Sequence, residues 1–302
     1  MKTNISLILI LCLLLGACKN GNASSQNKSE TSQDTIKAIK MPAIPQMMTA
    51  PEQRADFLAK HYWDNVNFAD TNYIHHPEVT EQAWADYCDL LNHVPLETAQ
   101  QAMRNVIDRT NVDKKVFTYI TDLADKYLYD PNSPMRNEEF YIPVLEAMIA
   151  SPVLNETEKI RPQARLKLAQ KNRIGTKALN FTYTLASGAQ GSLYQLKAEY
   201  LLLFINNPGC QACTETIEGL KNAPIINQLL QEKKLVLLSI YPDEELDEWK
   251  KHLSEFPNEW INGYDKKFTI KEEQVYDLKA IPTLYLLDKD KTVLLKDATA
   301  PA

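Results

Sequence analysis

Two cysteines three positions apart, Cys210 and Cys213, carry the clearest chemistry in the chain. They follow an apolar run of strand length, Tyr-Leu-Leu-Leu-Phe-Ile at 200–205, and a Pro208-Gly209 turn. If a helix begins at Cys210, the two sulfurs lie on one face, one turn apart, within reach of a disulfide. The first thiol then stands at the helix N-terminus, where unpaired amides and the helix dipole favour a thiolate. Such a pair is suited to thiol–disulfide exchange.

Other uses of the pair fit less well. A structural zinc site needs four ligands, yet no second pair or matching histidines accompany these cysteines, and His252 is isolated. A peroxide-reducing site of the peroxiredoxin kind needs a threonine three residues before the cysteine, where Asn207 stands. His75-His76 precede Pro77 without the carboxylate–histidine pattern of a metal site and read as a solvated loop. No metal and no cofactor is expected. Glycine is scarce, with 8 residues, and neither a P-loop nor a dinucleotide fingerprint is present. The net charge of −6 is spread along the chain, which gives no basic face for nucleic acid. With 302 residues and 44% hydrophobic content, the chain is long enough for about two domains with real cores. Its 5 cysteines divide unevenly, which argues against a disulfide-stapled scaffold.

The N-terminus reads as a secretory leader over 1–17, with Lys2 followed by an apolar core at 5–15 too short to span a membrane. It ends Leu15-Gly16-Ala17-Cys18, which resembles a bacterial lipobox. That resemblance implies lipidation of Cys18 and attachment to the cell envelope on its periplasmic face. Lys19 resembles the sorting signal for an outer membrane. Residues 18–45, rich in Ser, Asn, Gln and Lys, read as a flexible tether.

From 46 to 173 the apolar period is helical. Thr49 before Pro51 reads as a cap followed by a first-turn proline. Stripes then recur as Leu58/Tyr62/Val66, Trp84/Tyr87/Cys88/Leu91, Ala99/Met103/Val106/Ile107, Val116/Ile120/Leu123/Leu128, Val144/Leu145/Met148/Ile149 and Ile160/Ala164/Leu168. Cys88 and the aromatics Tyr62, Trp63, Trp84 and Tyr87 are expected in the core. No fixed repeat links these stretches. This part resembles an all-helical domain of uncharacterised function that precedes thioredoxin-like domains in lipoproteins of Bacteroidota.

From 174 to 302 the pattern becomes α/β. A strand is expected within 175–185 and buried strands at 200–205 and 235–240. Helices are expected from Cys210, over 223–232, from Pro242-Asp243 and over 270–278. A short extended piece at 260–264 and a hairpin, 284–287 with 292–295, complete a three-layer plan. The stretch 175–296 resembles the thioredoxin fold in its exported, membrane-tethered TlpA-like subgroup. The resemblance is carried by Cys210-Gln211-Ala212-Cys213 after a buried strand, Ile281-Pro282-Thr283 before an antiparallel strand, and Asp288-Lys289-Asp290 in the hairpin turn. The expected fold is therefore an all-helical domain followed by a thioredoxin-like α/β/α domain.

The resemblance implies that Pro282 is cis and lies against the cysteine pair, and that the backbone of Ile281 pairs with substrate. Gly209 and Gln211 flank the reactive sulfur and belong to the same substrate-binding surface. Cys210 is then the nucleophile and Cys213 the resolving thiol of a thiol–disulfide oxidoreductase. Its partners would be protein thiols and disulfides of the cell envelope and a membrane electron donor. Gln211-Ala212 places no histidine between the cysteines, which favours a reductant or isomerase over a strong oxidant. Three departures stand out. Gly209 replaces the family's tryptophan, Phe204 replaces its buried acid, and the residues after the last strand are too few for its closing helix, leaving one sheet face exposed. These departures leave an alternative, a lipid-tethered module that binds peptide or glycan on a thioredoxin-like scaffold.

Overall fold

The structure, a computed structural model, describes residues 38–298. The leader, Cys18 and most of the tether lie outside the described residues. The helical and sheet regions belong to one compact unit. Among the described residues, no helix is long and apolar enough to cross a membrane.

The helical region comprises α1 (Pro51–His61), α2 (Pro77–Leu91), α3 (Leu96–Arg109), α4 (Lys114–Ala124), α5 (Glu138–Ala150) and α6 (Glu156–Ala169). Pro51 opens α1 as expected, but the cap position is Ala50, which makes no side-chain cap bond; Thr49 stands one residue too early. Later helices start on side-chain caps: Asp113 for α4, Asn137 for α5 and an Asn155/Glu158 capping box for α6. Helix α5 is buried on nearly every side from Phe140 to Ala147, so it forms the centre of the region. Tyr62, Trp63, Trp84, Tyr87 and Cys88 are buried in one core with residues of the other helices. The Trp63 and Tyr87 rings meet edge to face at 5.6 Å.

The expected stripe of α6 is rotated. Ile160 is exposed at 62% and Ala164 is exposed, whereas Pro162 and Ala169 are buried. The helix is turned by Arg165, whose guanidinium reaches Asp125 at 2.6 Å and Tyr141 Oη at 2.8 Å. An ion pair at the edge of the core outweighs a weak apolar stripe here.

The sheet region holds β1 (Thr182–Leu185), β2 (Gln190–Ser192), β3 (Tyr200–Ile205), α7 (Gln211–Asn222), α8 (Pro224–Gln231), β4 (Leu235–Tyr241), α9 (Leu246–His252), β5 (Ile261–Tyr264), α10 (Thr269–Glu272), β6 (Thr283–Asp288) and β7 (Val293–Lys296). The strands form one sheet in the order β2-β1-β5-β4-β3-β6-β7. Strand β3 pairs in parallel with β4, Ile205 opposite Ile240, and antiparallel with β6, Ile205 opposite Thr283. Alternate residues of β3 face opposite sides. Leu201, Leu203 and Ile205 pack with Phe181, Ile270 and Tyr276. Leu202 and Phe204 pack with Cys213, Ile217 and Leu220 of α7. Both faces are covered, which is why the strand is apolar throughout.

Three element boundaries differ from expectation. Residues 175–178 run beside the last strand instead of opening β1: Gly175 N donates to Val293 O, and Lys177 bridges Thr292. Helix α9 begins at Leu246, not at Pro242-Asp243, because the Asp243 carboxylate is taken by Asn207 and Lys271. The helix expected over 270–278 stops at Glu272. Gln274 adopts φ 50°, in the left-handed region. The carbonyls of Glu273 and Gln274 accept from Lys171 Nζ and that of Val275 from Asn172 Nδ2. On the edge strand β7, Leu294 and Leu295, the latter opposite Leu286 of β6, are 36% and 48% exposed.

Candidate active site

Strand β3 delivers the chain to a tight, hydrogen-bonded turn. Asn206 is buried, its Nδ2 donating to Ser239 Oγ at 2.8 Å. Asn207 Nδ2 donates to Asp243 Oδ2 at 3.2 Å. Gly209 then takes φ 69°. A side chain there would meet nothing within 4 Å, so the backbone angle rather than crowding favours glycine where the family has tryptophan.

Cys210 is the N-cap of α7, and its Sγ accepts a hydrogen bond from Cys213 N at 3.3 Å. Negative charge on this sulfur is met by a backbone donor at the positive end of a helix. Cys213, one turn inside, is 2% exposed. Burial pushes its thiol up to about 12; its hydrogen bond to the Cys210 sulfur adds to the rise, and the Asn207 backbone opposes it. Both thiols are free. Phe204 belongs to the same apolar cluster as Cys213, so burial there is not relieved by a carboxylate at position 204.

The Ile281–Pro282 peptide is cis. Ile281 O lies 3.7 Å from Cys210 Sγ, and Thr283 Oγ1 donates to Ala280 O at 2.6 Å, closing the loop. Four of the singled-out residues, Cys210, Cys213, Ile281 and Pro282, thus converge, with Gly209 in the adjoining turn. Gln211 is exposed and its amide is held by Glu215 Oε1 at 2.9 Å, within its own helix.

A cleft of about 300 Å³ runs beside Ile281, lined also by Leu168 of α6, Asp243, Lys271, Gln274 and Leu278. From the sequence, Leu168, Asp243 and the 270–278 segment read as parts of helices, not as lining of a site. Asn207-to-Asp243 and Asp243-to-Lys271 pairings link separate elements, and no local pattern announces them.

A parallel β3–β4 pair, an antiparallel β6–β7 hairpin, and a cysteine pair at a helix N-terminus facing a cis-proline loop together define a recognisable arrangement. Residues 198–293 match the family described as thioredoxin-like, and residues 17–172 match a domain of unknown function, DUF5106. The chain belongs to the thioredoxin-like proteins that carry this N-terminal domain. It is 84% identical to a thioredoxin-like protein from Bacteroides caccae whose crystal structure is known. That match covers 88% of this chain and 96% of the other, with a TM-score of 0.86. The C-terminal domain of an uncharacterized protein from Bacteroides fragilis is 72% identical over 42% of this chain and 91% of its own length, with a TM-score of 0.42. A domain of a possible thiol-disulfide isomerase from Cytophaga hutchinsonii is 26% identical over 43% of this chain and 88% of its own, with a TM-score of 0.37. No curated protein matches the chain.

Proposed function

We propose that this thioredoxin-like protein is an exported thiol–disulfide oxidoreductase that reduces or isomerises protein disulfides of the cell envelope. The observation that carries this reading is the position of Cys210 Sγ, 3.3 Å from Cys213 N and 3.7 Å from Ile281 O. A substrate strand laid along the Ile281 carbonyl brings its disulfide to that sulfur. The Cys210 thiolate attacks one substrate sulfur, forming a mixed disulfide and releasing the other as a thiolate. Cys213, having given up its proton, attacks Cys210 Sγ. The second substrate sulfur leaves as a thiol, two electrons have passed to the substrate, and Cys210 and Cys213 are joined. A dithiol donor of the membrane returns the pair to the reduced state. Because Gln211-Ala212 adds no positive charge beside Cys210, the couple works as a reductant or isomerase.

Reduction of insulin disulfides tests the reading. Wild-type protein should turn over insulin, and Cys210→Ala should be reduced to background. Equal background rates for both would support a tethered binding module instead. Equilibration with glutathione tests the direction: a potential in the range of strong periplasmic oxidases would overturn the reductant assignment. Attachment through Cys18 predicts incorporation of labelled palmitate that Cys18→Ala abolishes.

A further inference from the structure

The irregular segment 273–279 leads directly into the cis-proline loop. It makes little regular structure of its own, yet residues of the helical region hold it at successive points. Lys171 Nζ donates to Glu273 O at 3.2 Å and Gln274 O at 2.7 Å. Asn172 is 3% exposed; its Nδ2 donates to Val275 O at 2.7 Å, and its Oδ1 accepts from Leu179 N at 2.7 Å. Two positions before Ile281, Lys279 Nζ bonds to Glu138 Oε1 at 2.6 Å and to Asp277 Oδ2 at 3.1 Å. It also lies 4.9 Å from the centre of the Tyr129 ring. The Lys279 and Glu138 side chains are 8% and 14% exposed. Glu138 is the first residue of α5 and also pairs with Lys296 of β7.

We infer that the helical region positions the substrate-docking loop: Glu138, Lys171 and Asn172 hold 273–279, and through it the Ile281 carbonyl beside Cys210. This rests on the reading of Ile281 as the docking strand. Glu138, Lys171 and Asn172 are positioning residues; none touches either sulfur in the way Ile281 does. The helical region thereby acquires a role in exchange without supplying a reacting group.

Removing one partner of a buried ion pair leaves an uncompensated charge, whereas replacing both by apolar residues is tolerated. The informative variant is therefore Glu138→Met with Lys279→Met and Asp277→Asn in the full chain, so that the Asp277 carboxylate is not left unpaired. Lys296 keeps its bonds to Ala169 O and Lys171 O. Lys171→Met, at a solvent-accessible site, is the second variant should the first fail to fold. Insulin serves as the disulfide probe, and amide exchange over 276–283 is followed in parallel. The expected result is a KM for insulin raised about fivefold with kcat changed less than twofold, the mark of lost docking rather than lost chemistry. Amides of 276–283 should exchange faster while those of α7 and α3 keep wild-type protection. Wild-type KM together with wild-type exchange in that segment would overturn the inference. If the wild-type protein itself fails to reduce insulin, the oxidoreductase reading falls. Exchange alone then decides: faster exchange in either variant supports the positioning role and unchanged exchange refutes it.

Discussion

Cys88 in the helical region and Cys210 in the sheet region are the same residue put to opposite uses. Cys88 is 2% exposed within an aromatic and aliphatic core, and burial pushes its thiol far above the ordinary range. Cys210 is half-buried at a helix N-terminus, with an amide aimed at its sulfur and a carbonyl-bearing loop opposite. What separates packing from chemistry is the surrounding backbone: a mid-helix cysteine has no free amide to meet a charge, and a cap position does. Cys213 stands between the two, buried like Cys88 but held against Cys210.

The strongest way to break this comparison is alkylation of the folded protein with iodoacetamide at pH 7. Cys210 should react at least ~100-fold faster than Cys88, because only an accessible thiolate reacts. Comparable rates, followed by peptide mass mapping, would erase the contrast. Serine substitution separates the sites by stability. Cys88→Ser buries a hydroxyl in an apolar core and should cost about 2 kcal/mol in denaturant unfolding. Cys210→Ser should cost less than ~0.5 kcal/mol, since the hydroxyl can accept the same amide.

Cys213 sharpens the comparison through pH. With its thiol pushed up to about 12, the thiolate that resolves a mixed disulfide is scarce near neutrality. Release of substrate from Cys210 should accelerate about tenfold per pH unit between 7 and 9. A flat profile in single-turnover measurements would show that Cys213 is deprotonated by other means. The same rise has a stability consequence. The folded state holds this proton more tightly than the unfolded chain, so its contribution is intact below the unfolded thiol's range and is lost as pH climbs toward 12. An effect on stability alone is expected at Gly209, where φ is 69° and the space around a Cβ is open. Gly209→Ala should destabilise the fold by about 1 kcal/mol through backbone conformation, leaving the order of thiol reactivities intact.

Much of the sheet region was legible in the sequence because its signals are local. The apolar run at β3, the cysteine pair at the α7 cap and the Ile281-Pro282-Thr283 triplet each declare themselves within a few residues, and the structure brings them together. Trp84, Tyr87 and Cys88 were legible for the same reason, lying on one buried stripe of α2. The failures are non-local. The segment after Glu272 has residues suited to a helix, but its carbonyls accept from Lys171 and Asn172, more than a hundred positions earlier. Helix α6 turns its expected stripe outward because Arg165 reaches Asp125 and Tyr141 on other elements. Glu138 reads as an ordinary first-turn acid, and nothing near it in sequence points to Lys279, 141 positions away. Pairings between two cores, each with its own local grammar, leave no periodic trace in either.

Incubating Cys213→Ala with a disulfide-bonded peptide and mapping the product by mass spectrometry addresses the centre of the account most directly. A stable mixed disulfide between the peptide and Cys210, with Cys88 unmodified, is the predicted result. No adduct, or one on Cys88 in the folded protein, would contradict the assignment of Cys210 as the attacking sulfur.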